Sequence, residues 1–135
     1  MVFMSNLTVK NNPIGIFDSG IGGINVLIRA KKLLPNENFI YFGDNGNTPY
    51  GNKSLEKLKL LSLNALNKLL EHNVKVICVA CNTLSTTVFD YLKEISPVPI
   101  IPTLPINVNF CGLNATLVAT PNTINSDYVK QNFKN

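Results

Sequence analysis

Histidine occurs once in this chain, as His72, and cysteine three times, as Cys78, Cys81 and Cys111. That scarcity removes several kinds of chemistry. Cys78 and Cys81 form a C-x-x-C, but there is no second such pair and no histidine pair, so a four-ligand zinc site cannot be assembled. Thioredoxin-like redox motifs place both cysteines around a helix start. Cys78 instead falls inside the apolar run Val74–Ala80 and is expected to be buried in a strand. The odd cysteine count, with no basic segment leading into an apolar one between Met1 and Lys10, points to a reducing cytoplasm. No apolar run approaches the roughly 18 residues that a membrane span needs. Clustered basic residues are also missing: twelve Lys+Arg against eight Asp+Glu give +4, and Lys31-Lys32 is the one adjacent pair. Nucleic-acid footprints gather such residues on one face, so neither a nucleic-acid nor a membrane partner is expected. A mild positive field suits a small dicarboxylate.

The 135 residues, 45% of them apolar, are enough for one domain with its own core. Internal repeats, low-complexity tracts and internal linkers are absent. Residues 1–12, with Asn6, Asn11 and Asn12, read as a flexible extension, leaving 13–135 as the folded unit. Apolar runs rich in β-branched or aromatic residues predict strands at Ile14–Phe17, Phe39–Phe42, Val74–Ala80 and Ala115–Ala119. Ile100–Ile101, hemmed by prolines, is a shorter candidate. Helical stripes fall between them, at Gly23–Leu34, Leu55–Glu71 with Ser54 as N-cap, and Thr83–Ile95. Another helix begins at Ser126. Alternation of these lengths predicts an α/β fold, a parallel sheet with helices on both faces.

Ligands of such sheets sit beyond the carboxyl ends of the strands. The polar clusters fall there: Asp18-Ser19-Gly20, Gly43-Asp44 with Pro49-Tyr50-Gly51, Cys81-Asn82-Thr83, and Thr120-Pro121-Asn122-Thr123. Small hydroxyls, amides, a carboxylate and one thiol converging from four strand ends describe one polar pocket. The turn Asp18–Gly23 is neither G-x-G-x-x-G nor a P-loop. It is read either as a tight turn in which Asp18 or Ser19 caps the next helix, or as a site where Asp18 attracts an ammonium and helix-start amides bind a carboxylate. Cys81 opens a helix, where the dipole is expected to lower its pKa and favour thiolate; Asn82 and Thr83 are positioned to donate to it. Cys78 and Cys111 are assigned as structural thiols. His72, at the end of a helix, is read as a surface residue.

Four ordered segments carry a resemblance. Ile14-Gly15-Ile16-Phe17-Asp18-Ser19-Gly20-Ile21-Gly22-Gly23, then Tyr41-Phe42-Gly43-Asp44 with Pro49-Tyr50-Gly51-Asn52-Lys53-Ser54, then Ala80-Cys81-Asn82-Thr83, then Thr120-Pro121-Asn122-Thr123, resemble the signatures of glutamate racemases. The resemblance implies the N-terminal lobe of a two-lobe enzyme that interconverts L- and D-glutamate for peptidoglycan without cofactor or metal. It implies that Cys81 is one of two opposed thiols and that Asp18 assists it. Asp18, Ser19, Pro49, Tyr50, Gly51, Asn82, Thr83, Thr120 and Thr123 are implied to contact substrate, with a homodimer among the allowed assemblies. The family's second cysteine, in a Cys-Thr-His motif, has no counterpart here, and Asp44-Asn45-Gly46-Asn47-Thr48 departs from the usual residues before Pro-Tyr-Gly. An aspartate-type racemase and a catalytically inactive binding lobe remain the alternatives.

Overall fold

The computed structural model describes residues 10–105 and 116–133. Four strands, β1 (Ile14–Asp18), β2 (Phe39–Gly43), β3 (Val76–Val79) and β4 (Ile100–Pro102), form one parallel sheet in the order β2-β1-β3-β4. Between them run α1 (Ile24–Leu33), α2 (Leu55–Leu70), α3 (Asn82–Thr87) and α4 (Phe89–Ile95). Two short helices follow, α5 (Pro121–Ile124) and α6 (Asp127–Asn132).

The strand order sets where helices lie. The chain moves outward from β1 to β2, then crosses back over β1 to β3 and on to β4. Right-handed crossovers therefore place α1 on one face and α2, α3 and α4 on the other. Side chains agree: Lys31 of α1 lies over the Phe39 ring, whereas a Cβ at Gly15, one pleat away, would meet Leu69 of α2 at 3.3 Å. The α2 face holds the core, where Phe17, Ile77 and Val79 pack with Leu58, Leu61, Ala65, Leu66 and Leu69 of α2 and with Leu84, Val88 and Leu92. The buried positions of α2 recur at helical spacing, and Ser54 caps its start by accepting from the Lys57 N–H.

Several expectations need correction. The single helix expected over Thr83–Ile95 is two, broken at Val88 (φ −124°, ψ 15°). Thr86 and Thr87 donate their hydroxyls to the backbone carbonyls of Asn82 and Thr83, and the β-branched run Thr86-Thr87-Val88 strains helical packing. The strand expected at Ala115–Ala119 is not formed over residues 116–119, and Ala115 lies outside the described residues. Val118 is 90% exposed, because an apolar run becomes a strand only where a neighbour pairs with it. The fourth strand is the proline-flanked Ile100–Pro102. Edge position tolerates the missing N–H groups, since the Pro99 carbonyl accepts from Ile77 and Thr103 donates to Val79.

Cys78, expected to be buried, is only partly so. It pairs in register with Ile16 and Ile101 on the α1 face, where α1 covers the β1–β2 side and Ile101 is 52% exposed. Of the extension expected over residues 1–12, residues 1–9 lie outside the described residues, as does Cys111. Lys10 and Asn11 are helical, and the Lys10 carbonyl accepts from Lys75 Nζ.

Candidate active site

The connections reverse direction between β1 and β3, so their carboxyl ends open a crevice at this switch point. Asp18 ends β1 and Cys81 follows β3, and both are buried. Asp18 Oδ2 accepts the N–H groups of Gly20 (3.2 Å) and Gly23 (3.0 Å), so the carboxylate itself fills the start of α1. Asp18 thus ties off the turn, while α1, whose N-cap is Gly23, has no side-chain cap of its own. Those two amides are committed to Asp18 rather than turned toward an external anion. Gly23 permits the arrangement: a Cβ there would lie 2.7 Å from Asp18 Cβ and 3.0 Å from Ala80 Cβ. Tyr41, on β2, donates its hydroxyl to the Gly20 carbonyl and fixes the turn from the other side.

Cys81 is the N-cap residue of α3, and its Sγ lies 3.6 Å from Ser19 Oγ. Contrary to expectation, its thiol pKa is raised. Burial is the largest cause; hydrogen bonds from the Leu84 amide and from Ser19 oppose it, and the Asp18 charge adds to it. The Leu84 amide at the start of α3 and Ser19 together do not offset the desolvation. The thiol at rest is therefore neutral at physiological pH.

The loop after β2 forms one wall. Tyr50, 2% exposed, donates its hydroxyl to Asp44 Oδ2 at 2.6 Å, and Asn47 Nδ2 donates to both Asp44 oxygens. Burial, then the Asp44 hydrogen bond and charge, and more weakly the charges of Cys81 and Asp18, hold the Tyr50 phenol protonated far into the alkaline range. Pro49 is exposed beside it and Gly51 is buried. A Cβ at Gly51 would stand 2.6 Å from Thr120 Cβ, so glycine lets the α5 segment close against this loop.

Three hydroxyls complete the arrangement. Thr83 Oγ1 lies 3.0 Å from Thr120 Oγ1, which lies 3.0 Å from Thr123 Oγ1. Thr83 and Thr123 are buried and Thr120 is exposed at the rim. Asn82 is the outlier of the expected set: it is exposed, and its side-chain amide donates to the Thr103 carbonyl at 3.1 Å.

The sequence thus located Asp18, Ser19, Cys81, Tyr50, Gly51, Thr83, Thr120 and Thr123 in neighbouring clusters. It gave no supporting role to Tyr41 or Asn122. Tyr41 had a signal, since strand alternation places it on the face of Ile16, its register partner. Asn122 stood in the last polar cluster, but nothing local foretold its partners: its amide donates to the carbonyls of Tyr50 and Lys53, some seventy residues earlier in the chain.

No family model matches the chain. Among curated proteins, the glutamate racemase of Clostridium botulinum (strain Alaska E43) is 46% identical over 120 residues, which is 85% of this chain and 46% of that protein. The glutamate racemase of Clostridium acetobutylicum is 53% identical over 88 residues, 65% of this chain and 34% of that protein. Among solved structures, glutamate racemase from Thermus thermophilus in complex with beta-chloro-D-alanine superposes with a TM-score of 0.65 at 43% identity, covering 68% of this chain and 36% of that one. The Francisella tularensis enzyme in complex with D-glutamate gives 0.65 at 42%, covering 68% and 35%. The chain spans about half the length of the first of these curated relatives. By sequence and by fold, this chain is a homologue of the glutamate racemases, matched over roughly a third to a half of their length.

Proposed function

We propose that residues 13–135 act as one catalytic lobe of a cofactor-independent glutamate racemase, with Cys81 as the base for D-glutamate. The observation that carries the reading is the placement of a buried thiol against Ser19, beside Asp18, at the β1/β3 switch point of a parallel sheet. An amino-acid ammonium entering beside Asp18 supplies the positive charge that the buried site lacks, and this favours the Cys81 thiolate at the moment it is needed. The thiolate then removes the α-proton, and the polar groups of Thr83, Thr120 and Thr123 receive the substrate carboxylates together with Ser19; Asn82 joins them only by giving up its bond to the Thr103 carbonyl. Pro49, Tyr50 and Gly51 form the wall. Exclusion of water strengthens the stabilisation of a carbanion-like transition state.

Inversion needs a proton donor on the opposite face of the same carbon. Reading the Cys-Thr-His motif of the glutamate racemases as that donor places it in a second lobe. The setting consistent with this role is cytoplasmic, with D-glutamate supplied to peptidoglycan and a small-molecule substrate as the partner. Among the described residues no helix is long and apolar enough to cross a membrane. A homodimer is compatible with this role. The test mixes this chain with a separately expressed second lobe carrying the Cys-Thr-His motif and follows L- and D-glutamate by circular dichroism. Inversion in the mixture, and not with either part alone, is expected. A mixture that racemises aspartate in preference would move the assignment to the aspartate-type enzymes.

A further inference from the structure

The Gly20 carbonyl is gripped from β2. Tyr41 Oη donates to it at 2.5 Å, and a Cβ at Gly43, further along the same strand face, would stand 2.5 Å from the same oxygen. The Gly20 amide is taken from the other side, by Asp18 Oδ2 at 3.2 Å. Both peptide groups of Gly20 are thus held, one by the acid at the end of β1 and one by the neighbouring strand. Ser19 lies between Asp18 and Gly20, and its Oγ is the group that meets Cys81 Sγ, at 3.6 Å. A serine hydroxyl turns about a single side-chain torsion, so its reach is decided by its backbone. With strand order β2-β1-β3, the turn after β1 has Tyr41 on one flank and Cys81 on the other.

We propose that Tyr41 is a positioning residue that sets the Ser19–Cys81 contact by holding the Gly20 carbonyl against β2. A part-buried carbonyl deprived of its donor moves toward water to recover a hydrogen bond. Gly20 would then swing and carry Ser19 with it, and a small displacement parts the hydroxyl from the sulfur. Against the dominant effect of burial, Ser19 lowers the Cys81 pKa through its hydroxyl and, more weakly, through its own N–H. Both depend on the same stretch of backbone. Tyr41 itself brings no charge near neutral pH: burial, then the Asp18 and Cys81 charges, hold its phenol above the ordinary value. Its influence on the thiol therefore runs through the turn. This role rests on the reading of Cys81 as the base.

The test uses the chain as it stands and needs no substrate. Alkylation by iodoacetamide is followed against pH by mass spectrometry in the wild type, Tyr41→Phe, Ser19→Ala and the double variant, with Cys78 as the internal reference. Tyr41→Phe keeps the ring packed and removes only the donor. The Cys81 midpoint is expected to rise by about half a unit, and the rate near pH 8 to fall about threefold. In the Ser19→Ala background the same change is expected to lose most of its effect, because the hydroxyl it positions is gone. The Cys78 midpoint is expected to stay in place throughout. An unchanged or lowered Cys81 midpoint in Tyr41→Phe overturns the proposal. So does an effect of full size in the Ser19→Ala background, or a parallel change at Cys78, which marks a general loosening of the sheet. Should Tyr41→Phe fail to fold, Gly43→Ala displaces the same carbonyl from its seat and is expected to raise the midpoint likewise; no rise there contradicts the role. The racemase reading fails separately, as exchange of the glutamate α-proton that does not depend on Cys81, with these midpoints unaltered.

Discussion

Cys81 Sγ lies 3.6 Å from Ser19 Oγ, so the turn after β1 meets the second residue beyond β3 at the sulfur itself. As a thiol, Cys81 donates to Ser19; as a thiolate it would accept from Ser19. Burial raises the thiol pKa and Ser19 lowers it. The alkylation midpoint of Cys81 is therefore expected above that of free cysteine, and Ser19→Ala is expected to move it further up. A midpoint below free cysteine would show that the helix start, not burial, governs the sulfur. In the unliganded chain the half-buried Cys78 is expected to label before Cys81.

Gly51 and Thr120 constrain each other. A Cβ at position 51 would stand 2.6 Å from Thr120 Cβ, closer than real contacts allow. Gly51→Ala should force the α5 segment outward, separating Thr120 from Thr83 and costing about 1–3 kcal/mol of stability. Urea unfolding measures the cost, and loss of glutamate-dependent NMR shifts reports the opened pocket.

Stability should fall with alkalinity. Cys81, Cys78, Tyr41 and Tyr50 all have folded pKa values raised chiefly by burial. The folded state therefore keeps protons that the unfolded state releases above the ordinary thiol and phenol values, roughly 8.5 and 10. Their contribution is fully present below those values and is lost as pH rises toward the folded ones. Urea midpoints between pH 7 and 10.5 check this, and a Cys81→Ser variant should show a shallower decline at the lower end of that range.

The orientation of α2 makes a paired prediction. Leu58 is wholly buried and Leu60 is 58% exposed. Leu58→Ala should cost about 2–5 kcal/mol, whereas Leu60→Ala should stay within about 0.5 kcal/mol. Similar losses from both would mean that the helix is rotated on the sheet.

Much of this was legible in the sequence because strands and turns announce themselves locally. Phe17 to Gly20 shows an apolar run giving way to a carboxylate, a hydroxyl and a glycine, and the proposed site is placed there. Leu58, Leu61, Ala65, Leu66 and Leu69 show a helical stripe, and they are buried together. The rest depends on partners that a local window does not contain. Ile100–Pro102 outranks the longer run at residues 116–119 because β3 lies beside it. The Cys81 pKa turns on how deeply the sulfur is buried, which its position before a helix does not reveal. Tyr41 and Asn122 act across the fold on residues distant in the chain.

The central claim is that Cys81 works on one face of the α-carbon. The most direct measurement incubates D-glutamate with this chain in deuterium oxide and follows the α-proton by NMR and the configuration by circular dichroism. The account predicts slow loss of the α-proton signal with the D configuration retained, and no loss with Cys81→Ser. Exchange that persists in Cys81→Ser, or inversion to L-glutamate by the 135-residue chain alone, would contradict it.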